Sequence, residues 1–170
     1  FGFAQDDKIP TIVKTFDMDQ PGMLNASSSG GGVLVESHNQ KNVVVKAFVR
    51  KNGRIISPSD PSLKEVLEDF EITIEKNGTV VTADIERKSH FNLWNNVGIS
   101  LTILVPLEMS CNVSSSGGGL KIIGVAGTHN FSSSGGGVHL ENISGSTKAK
   151  SSGGSVKAVN QKGDVQLSSS

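Results

Sequence analysis

The sequence predicts an all-β fold, a parallel β-solenoid of the single-stranded β-helix kind with Ser/Gly-rich coils of about 18 residues. An N-terminal part made of β-strands, a hairpin and one short helix precedes it. Three observations carry this expectation. The chain of 170 residues has 20 glycines, one tryptophan, no tyrosine and seven phenylalanines, so its core must be thin and aliphatic. Its Ser-Ser-Gly-Gly runs recur at a fixed interval. Between those runs, apolar and polar residues alternate with the period of a strand.

The interval is 18 residues. Ser114-Ser115-Ser116-Gly117-Gly118-Gly119 recurs as Ser132-Ser133-Ser134-Gly135-Gly136-Gly137, then as Lys150-Ser151-Ser152-Gly153-Gly154-Ser155, and begins again at Ser168-Ser169-Ser170. Gly127, Gly145 and Gly163 share the fourteenth column. Column seven reads Leu120, Val138, Val156, and column nine reads Ile122, Leu140, Ala158. The column between them reads Lys121, His139, Lys157, an outward row. The last column, Phe131, Ala149, Leu167, is apolar again and follows Asn130, Lys148 and Gln166. Each repeat thus offers two short strands joined by glycine-containing corners. One such unit cannot bury its inner face alone, whereas stacked units share a continuous core. Glycine allows the corners to turn, and stacked hydroxyls can bond neighbouring backbone. Asn142 and Asn160, one repeat apart, suggest a similar ladder. A flexible Gly/Ser linker would not keep apolar columns in phase.

Upstream elements follow in order. Phe1-Gly2-Phe3-Ala4 before Gln5-Asp6-Asp7 reads as the remnant of a secretory signal cleaved after Ala4, which predicts export and a single β-repeat domain over 5–170. Mass spectrometry of the natural N-terminus tests this. Within that domain 5–110 is irregular and 111–170 carries the regular repeats. Ser27 to Glu36 is an early copy of the repeat opening, with Gln40 in place of the column-fourteen glycine, and is read as an entering strand. Val43–Val49 is the next strand. Residues 58–70 suit a capped short helix, with Pro61 in the first turn, Asp60 or Ser59 as cap, and Leu63, Val66, Leu67 and Phe70 on one face. Glu71 to Glu75 alternates as a strand, Asn77-Gly78 signals a hairpin returning through Thr79 to Ile85, and Ile99 to Val105 is a further strand ending at Pro106. The 18-residue frame calls for a glycine after Ser170. The repeat is therefore expected to continue past 170, or its last coil to be covered by a cap or by edge-to-edge association.

Chemistry is sparse. Sixteen basic residues balance sixteen acidic ones, which speaks against nucleic-acid binding. No apolar run approaches the roughly 20 residues of a membrane-spanning helix. Cys111, the single cysteine, reads as a small buried hydrophobe. His38, His90, His129 and His139 show no metal-ligand spacing and read as solvated. No Gly-x-Ser-x-Gly elbow, calcium nonapeptide or phosphate loop is present. Within 114–170 the carboxylates Glu141 and Asp164 lie in different columns, a poor pair for the acid–base work of a polysaccharide-active solenoid. No catalytic, cofactor-binding or metal residue is assigned, and no cofactor is expected. Five Asn-x-Ser/Thr triplets, headed by Asn25, Asn77, Asn112, Asn130 and Asn142, carry no weight in a Ser-rich chain.

The order Ser27 to Val35, Val43 to Val49, Leu101-Thr102-Ile103-Leu104-Val105-Pro106 and then the repeats at 114–167 resembles the "putative adhesin" β-strand-repeat family of bacterial envelope proteins of unknown function, similar to auto-transporter adhesin-head (GIN) domains. The resemblance spans about residues 10–170. It implies a solenoid at the cell surface, on the outer membrane or in the periplasm, and a non-enzymatic, adhesin-like role. Its partner would be a glycan or another envelope protein, with the Lys121–His139–Lys157 row as one contact face. A structural or regulatory envelope scaffold is the alternative. The resemblance carries no catalytic residue over.

Overall fold

The computed structural model describes residues 9–88 and 96–170; the proposed signal remnant at 1–4 and His90 lie outside them. Over these residues the chain is all-β apart from one short helix. In order it forms β1 (Ile12–Asp17), β2 (Gly22–Ser28), β3 (Val33–His38), β4 (Asn42–Lys51), β5 (Arg54–Ile55), α1 (Leu63–Glu68), β6 (Phe70–Asn77), β7 (Val80–Arg87), β8 (Val97–Pro106) and β9 (Met109–Ser115). The repeats then supply β10 (Leu120–Ile123), β11 (Ala126–Ser133), β12 (Val138–Glu141), β13 (Ser144–Ser151), β14 (Val156–Val159) and β15 (Val165–Ser169).

These strands form two mixed sheets. Sheet A runs β1-β4-β8-β3-β10-β12-β14, with β5 on β4, and sheet B runs β15-β13-β11-β9-β2-β7-β6. Within the repeats every pairing is parallel and the register equals the sequence period. Leu120 lies opposite Val138 and Val138 opposite Val156, while Phe131 lies opposite Ala149 and Ala149 opposite Leu167. The alternating apolar residues of both sheets point into one shared cluster. Leu24, Ile85, Ile99, Leu101, Ile103, Leu120, Ile122, Phe131 and Leu140 are all essentially inaccessible. Each such side chain contributes about 1.5–3 kcal/mol through removal from water. Branched aliphatics dominate because their restricted rotamers match a pleated inner face.

Two glycine columns explain why the repeat needs that residue. Gly145 has φ +101°, and a Cβ there would stand 1.9 Å from the carbonyl oxygen of Gly127 in the preceding unit. At Gly136 the objection is contact alone, since a Cβ would lie 2.5 Å from the amide nitrogen of Gly119. Successive corners therefore stack backbone on backbone. The asparagine ladder forms as expected: Asn160 Nδ2 donates to Asn142 Oδ1 at 3.2 Å, and both residues take positive φ, which asparagine tolerates.

The early copy at 27–36 is more than an entering strand. β2 pairs with β9 so that Ser27 and Ser28 face Ser114 and Ser115, and β3 pairs with β10 so that Val33 and Val35 face Leu120 and Ile122. It stacks on the first regular repeat in that repeat's own register. Its other side is covered by β7 and β8, again in parallel. The segment between these copies closes the far end with antiparallel strands: β4 on β8, β1 on β4, and β6 on β7. Lysines join the two outermost strands, since Lys14 Nζ of β1 donates to the Ile74 carbonyl of β6 at 3.0 Å and Lys76 Nζ of β6 donates to the Asp17 carbonyl at 2.6 Å. Each lysine thereby occupies one backbone carbonyl of the strand opposite.

Two hairpins use Asn-Gly. The expected turn at Asn77-Gly78 joins β6 to β7, and Asn52-Gly53, with φ +53° and +79°, joins β4 to β5. The helix is shorter than the 58–70 expected. Ser62 is its N-cap residue and makes no side-chain capping bond; Asp60 instead accepts from the amide and hydroxyl of Ser62 at 2.8 and 2.7 Å. These bonds stabilise its ionised form and lower its pKa from 3.8. Val66 is buried, Leu63 and Leu67 pack against the core, and Phe70 already belongs to β6.

Candidate functional site: the outer face of sheet B

The serine run divides by position. The middle serine of each copy points inward and is spent on structure. Ser115 Oγ donates to Gly31 O at 2.9 Å, Ser133 Oγ to Gly118 O at 3.0 Å and Ser151 Oγ to Gly136 O at 2.9 Å. Each also accepts the amide three residues ahead, from Gly118, Gly136 and Gly154. Each of these hydroxyls is engaged both as donor and as acceptor within the stack.

The flanking serines point out. Strand register aligns Asp84, Ser27, Ser114, Ser132 and Lys150 in one row across β7, β2, β9, β11 and β13. A second row, two residues back, reads Thr82, Asn25, Asn112, Asn130 and Lys148. Among the described residues, the side chains of Ser114, Ser132, Asn112 and Asn130 make no hydrogen bond within the chain, so their donors and acceptors face solvent. Ser27 donates to Asp84 Oδ1. A shallow groove of about 320 Å³ runs along the serine row at the corner, lined by the outer serines of three copies together with Asp84 and Glu86. Neither carboxylate forms an ion pair among the described residues. The nearby guanidinium of Arg87 turns away, to the Val97 carbonyl and over the Phe70 ring at 5.2 Å. Along these rows the face is acidic on β7, uncharged on β2, β9 and β11 and basic on β13, with Gln166 and Ser168 of β15 beyond the lysines.

The asparagine triplets acquire meaning here. Those at 25, 112 and 130 stand two residues before the first serine of a copy, and that shared phase brings them side by side. It was the one available signal for this face; nothing local marked Asp84 or Glu86, which arrive on the returning arm of the hairpin.

The row expected on sheet A also forms. Lys121 faces His139, and His139 faces Lys157. It is not a purely basic stripe, because Leu34 continues it and His139 Nε2 lies 3.7 Å from Glu141 Oε1. His129 corrects the expectation of a solvated ring. It lies on the inner face of β11, 2% exposed, stacked on Phe131 with ring centroids 5.7 Å apart. Its Nδ1 accepts the Cys111 amide at 3.2 Å, so Nε2 carries the proton and bonds the Ser144 carbonyl, also at 3.2 Å. Burial lowers its pKa from 6.5. Cys111, beside it, is buried as expected, and desolvation pushes its thiol up to about 12. His38 bonds the Asn42 carbonyl at 2.8 Å. Among the described residues no three His, Cys, Asp or Glu gather as a metal set would, and no helix is long and apolar enough to cross a membrane.

No protein-family model and no curated protein matches the chain. Solved structures with a similar course include a "putative cell adhesion protein" from Clostridium sporogenes, 11% identical, with TM-score 0.45 and coverage of 94% of this chain and 98% of that one. A "putative adhesin" from Parabacteroides merdae is 8% identical, with TM-score 0.24 over 94% and 95% of the two chains. A "putative lipid binding protein" from Parabacteroides distasonis is 12% identical, with TM-score 0.27 over 94% and 96%. At these values the function has to be argued from the residues.

Proposed function

We propose that the chain is a non-enzymatic binding module of the bacterial cell surface or envelope, adhesin-like in use, and that 111–170 are coils of a parallel β-solenoid. The observation that carries the reading is the division of labour among the serines. The inner hydroxyls are consumed by the stack, while the outer Ser and Asn side chains form a broad solvent-facing array flanked by Asp84 and Glu86. Such an array suits recognition of an extended polar partner, where many modest bonds add up, better than bond-breaking at one point. An exported location belongs to the same reading. Immobilised protein screened against a glycan array and against envelope-protein fractions, alongside attachment of cells lacking the gene, tests it. Retention of a glycan or surface protein with reduced attachment supports the proposal; no ligand with unchanged attachment overturns it.

A further inference from the structure

Resting on that reading, we infer that the outer face of sheet B takes a zwitterionic glycan segment, its ammonium over Asp84 and Glu86 and its carboxylate over Lys148 and Lys150. Charge complementarity carries the choice. From β7 to β13 the face spans four strand spacings, roughly 19 Å at about 4.8 Å each. It reads carboxylate, three uncharged strands, then lysine.

The uncharged strands offer hydroxyls and amides in straight rows at the strand spacing. A polyhydroxylated chain lying across the strands meets a fresh donor or acceptor at each one, and the serine groove gives it a track from Asp84 to the third serine copy. A polycation would gain at Asp84 and Glu86 but meet like charge at the lysines, and a polyanion would fail at the other end. Only a chain carrying both signs satisfies both the β7 carboxylates and the β13 lysines. No aromatic side chain stands in these rows, so recognition depends on hydrogen bonds and charge and weakens as salt rises. The carboxylates lack ion-pair partners among the described residues, so binding breaks no existing salt bridge there.

The test is calorimetric titration of the chain with four hexasaccharides: alternating glucosamine and glucuronate, its N-acetylated counterpart, an all-glucosamine oligomer and a cello-oligomer. The first is expected to bind at least roughly tenfold tighter than the other three, the loss of one charge-assisted contact being worth about that factor. Glu86→Gln with Asp84→Asn should abolish the preference over the N-acetylated form. Lys148→Gln with Lys150→Gln should abolish the preference over the glucosamine oligomer. Ser114→Val with Ser132→Val, at outward positions with no internal bonds, should weaken all binding while leaving the melting temperature in place. Absence of binding by the zwitterionic oligomer, or equal binding of all four, overturns the inference. Binding lost instead through Lys121→Ala, His139→Ala and Lys157→Ala also overturns this site, yet leaves the binding-module reading standing. Only failure of the broader array and attachment screen removes that.

Discussion

Ser133 and Gly118 belong to successive repeats, and the hydroxyl of the one donates to the carbonyl of the other at 3.0 Å while accepting the amide of Gly136 at 3.1 Å. One small side chain thus shapes its own corner and ties that corner to the unit before. Ser133→Ala leaves a carbonyl and an amide without this partner and is expected to cost about 1–3 kcal/mol. Ser132→Ala, one residue away and facing water, should cost close to nothing. Urea unfolding of the two variants separates these outcomes.

Glycine substitutions should fall into two classes. Gly53→Ala places a side chain at φ +79° with nothing within 4 Å, so only the backbone preference is lost, about 1 kcal/mol. Gly145→Ala adds a clash with the Gly127 carbonyl to a φ of +101° and should cost about 3 kcal/mol or more. Equal melting temperatures for the two would show that the stacked corner yields more readily than its contacts imply.

His129 predicts an acid sensitivity. Burial lowers its folded pKa below the unfolded value near 6.5, so the unfolded chain takes up the proton first. Its contribution is therefore present in full above pH 6.5 and is lost as the pH falls from there through the folded pKa. Protonated Nδ1 would also point a hydrogen at the Cys111 amide, setting donor against donor. Denaturation between pH 7.5 and 5 should show stability declining in the wild type, and a flatter profile in His129→Gln.

Thr147 lies opposite His129, 1% exposed, and its hydroxyl has no hydrogen-bond partner among the described residues. Thr147→Val keeps the shape and removes the unpaired group. It should stabilise by about 1 kcal/mol, read as a higher urea midpoint with unchanged slope.

Cys111 serves as a reporter of opening. With its thiol buried and raised to about 12, iodoacetamide at pH 8 should leave the native chain unmodified and label it stoichiometrically in urea. Rapid labelling without denaturant would mean that this part of the core opens readily.

The sequence by itself determined whatever depends on near neighbours and on period. The 18-residue interval became the register of the parallel ladders, and the alternation at Leu120, Lys121, Ile122 became inside and outside. Asn77-Gly78 became a hairpin because it favours that turn wherever it stands; Asn52-Gly53 carries the same signal and turns β4 into β5. Which distant segments meet was settled by the folding of the whole chain. Nothing between residues 36 and 114 announces that the early copy stacks on the first regular repeat, because that choice depends on β4 to β8 closing around it. His129 is inside because it shares the inward face of β11 with Phe131 two residues on, a phase that its polar ring and the polar Thr128 and Asn130 beside it masked. The Asn and Ser triplets become one face, with acid on β7 and lysine on β13, only once β7, β2, β9, β11 and β13 lie side by side. A period is written in spacing along the chain. A surface is written in which strands the folded chain sets next to one another.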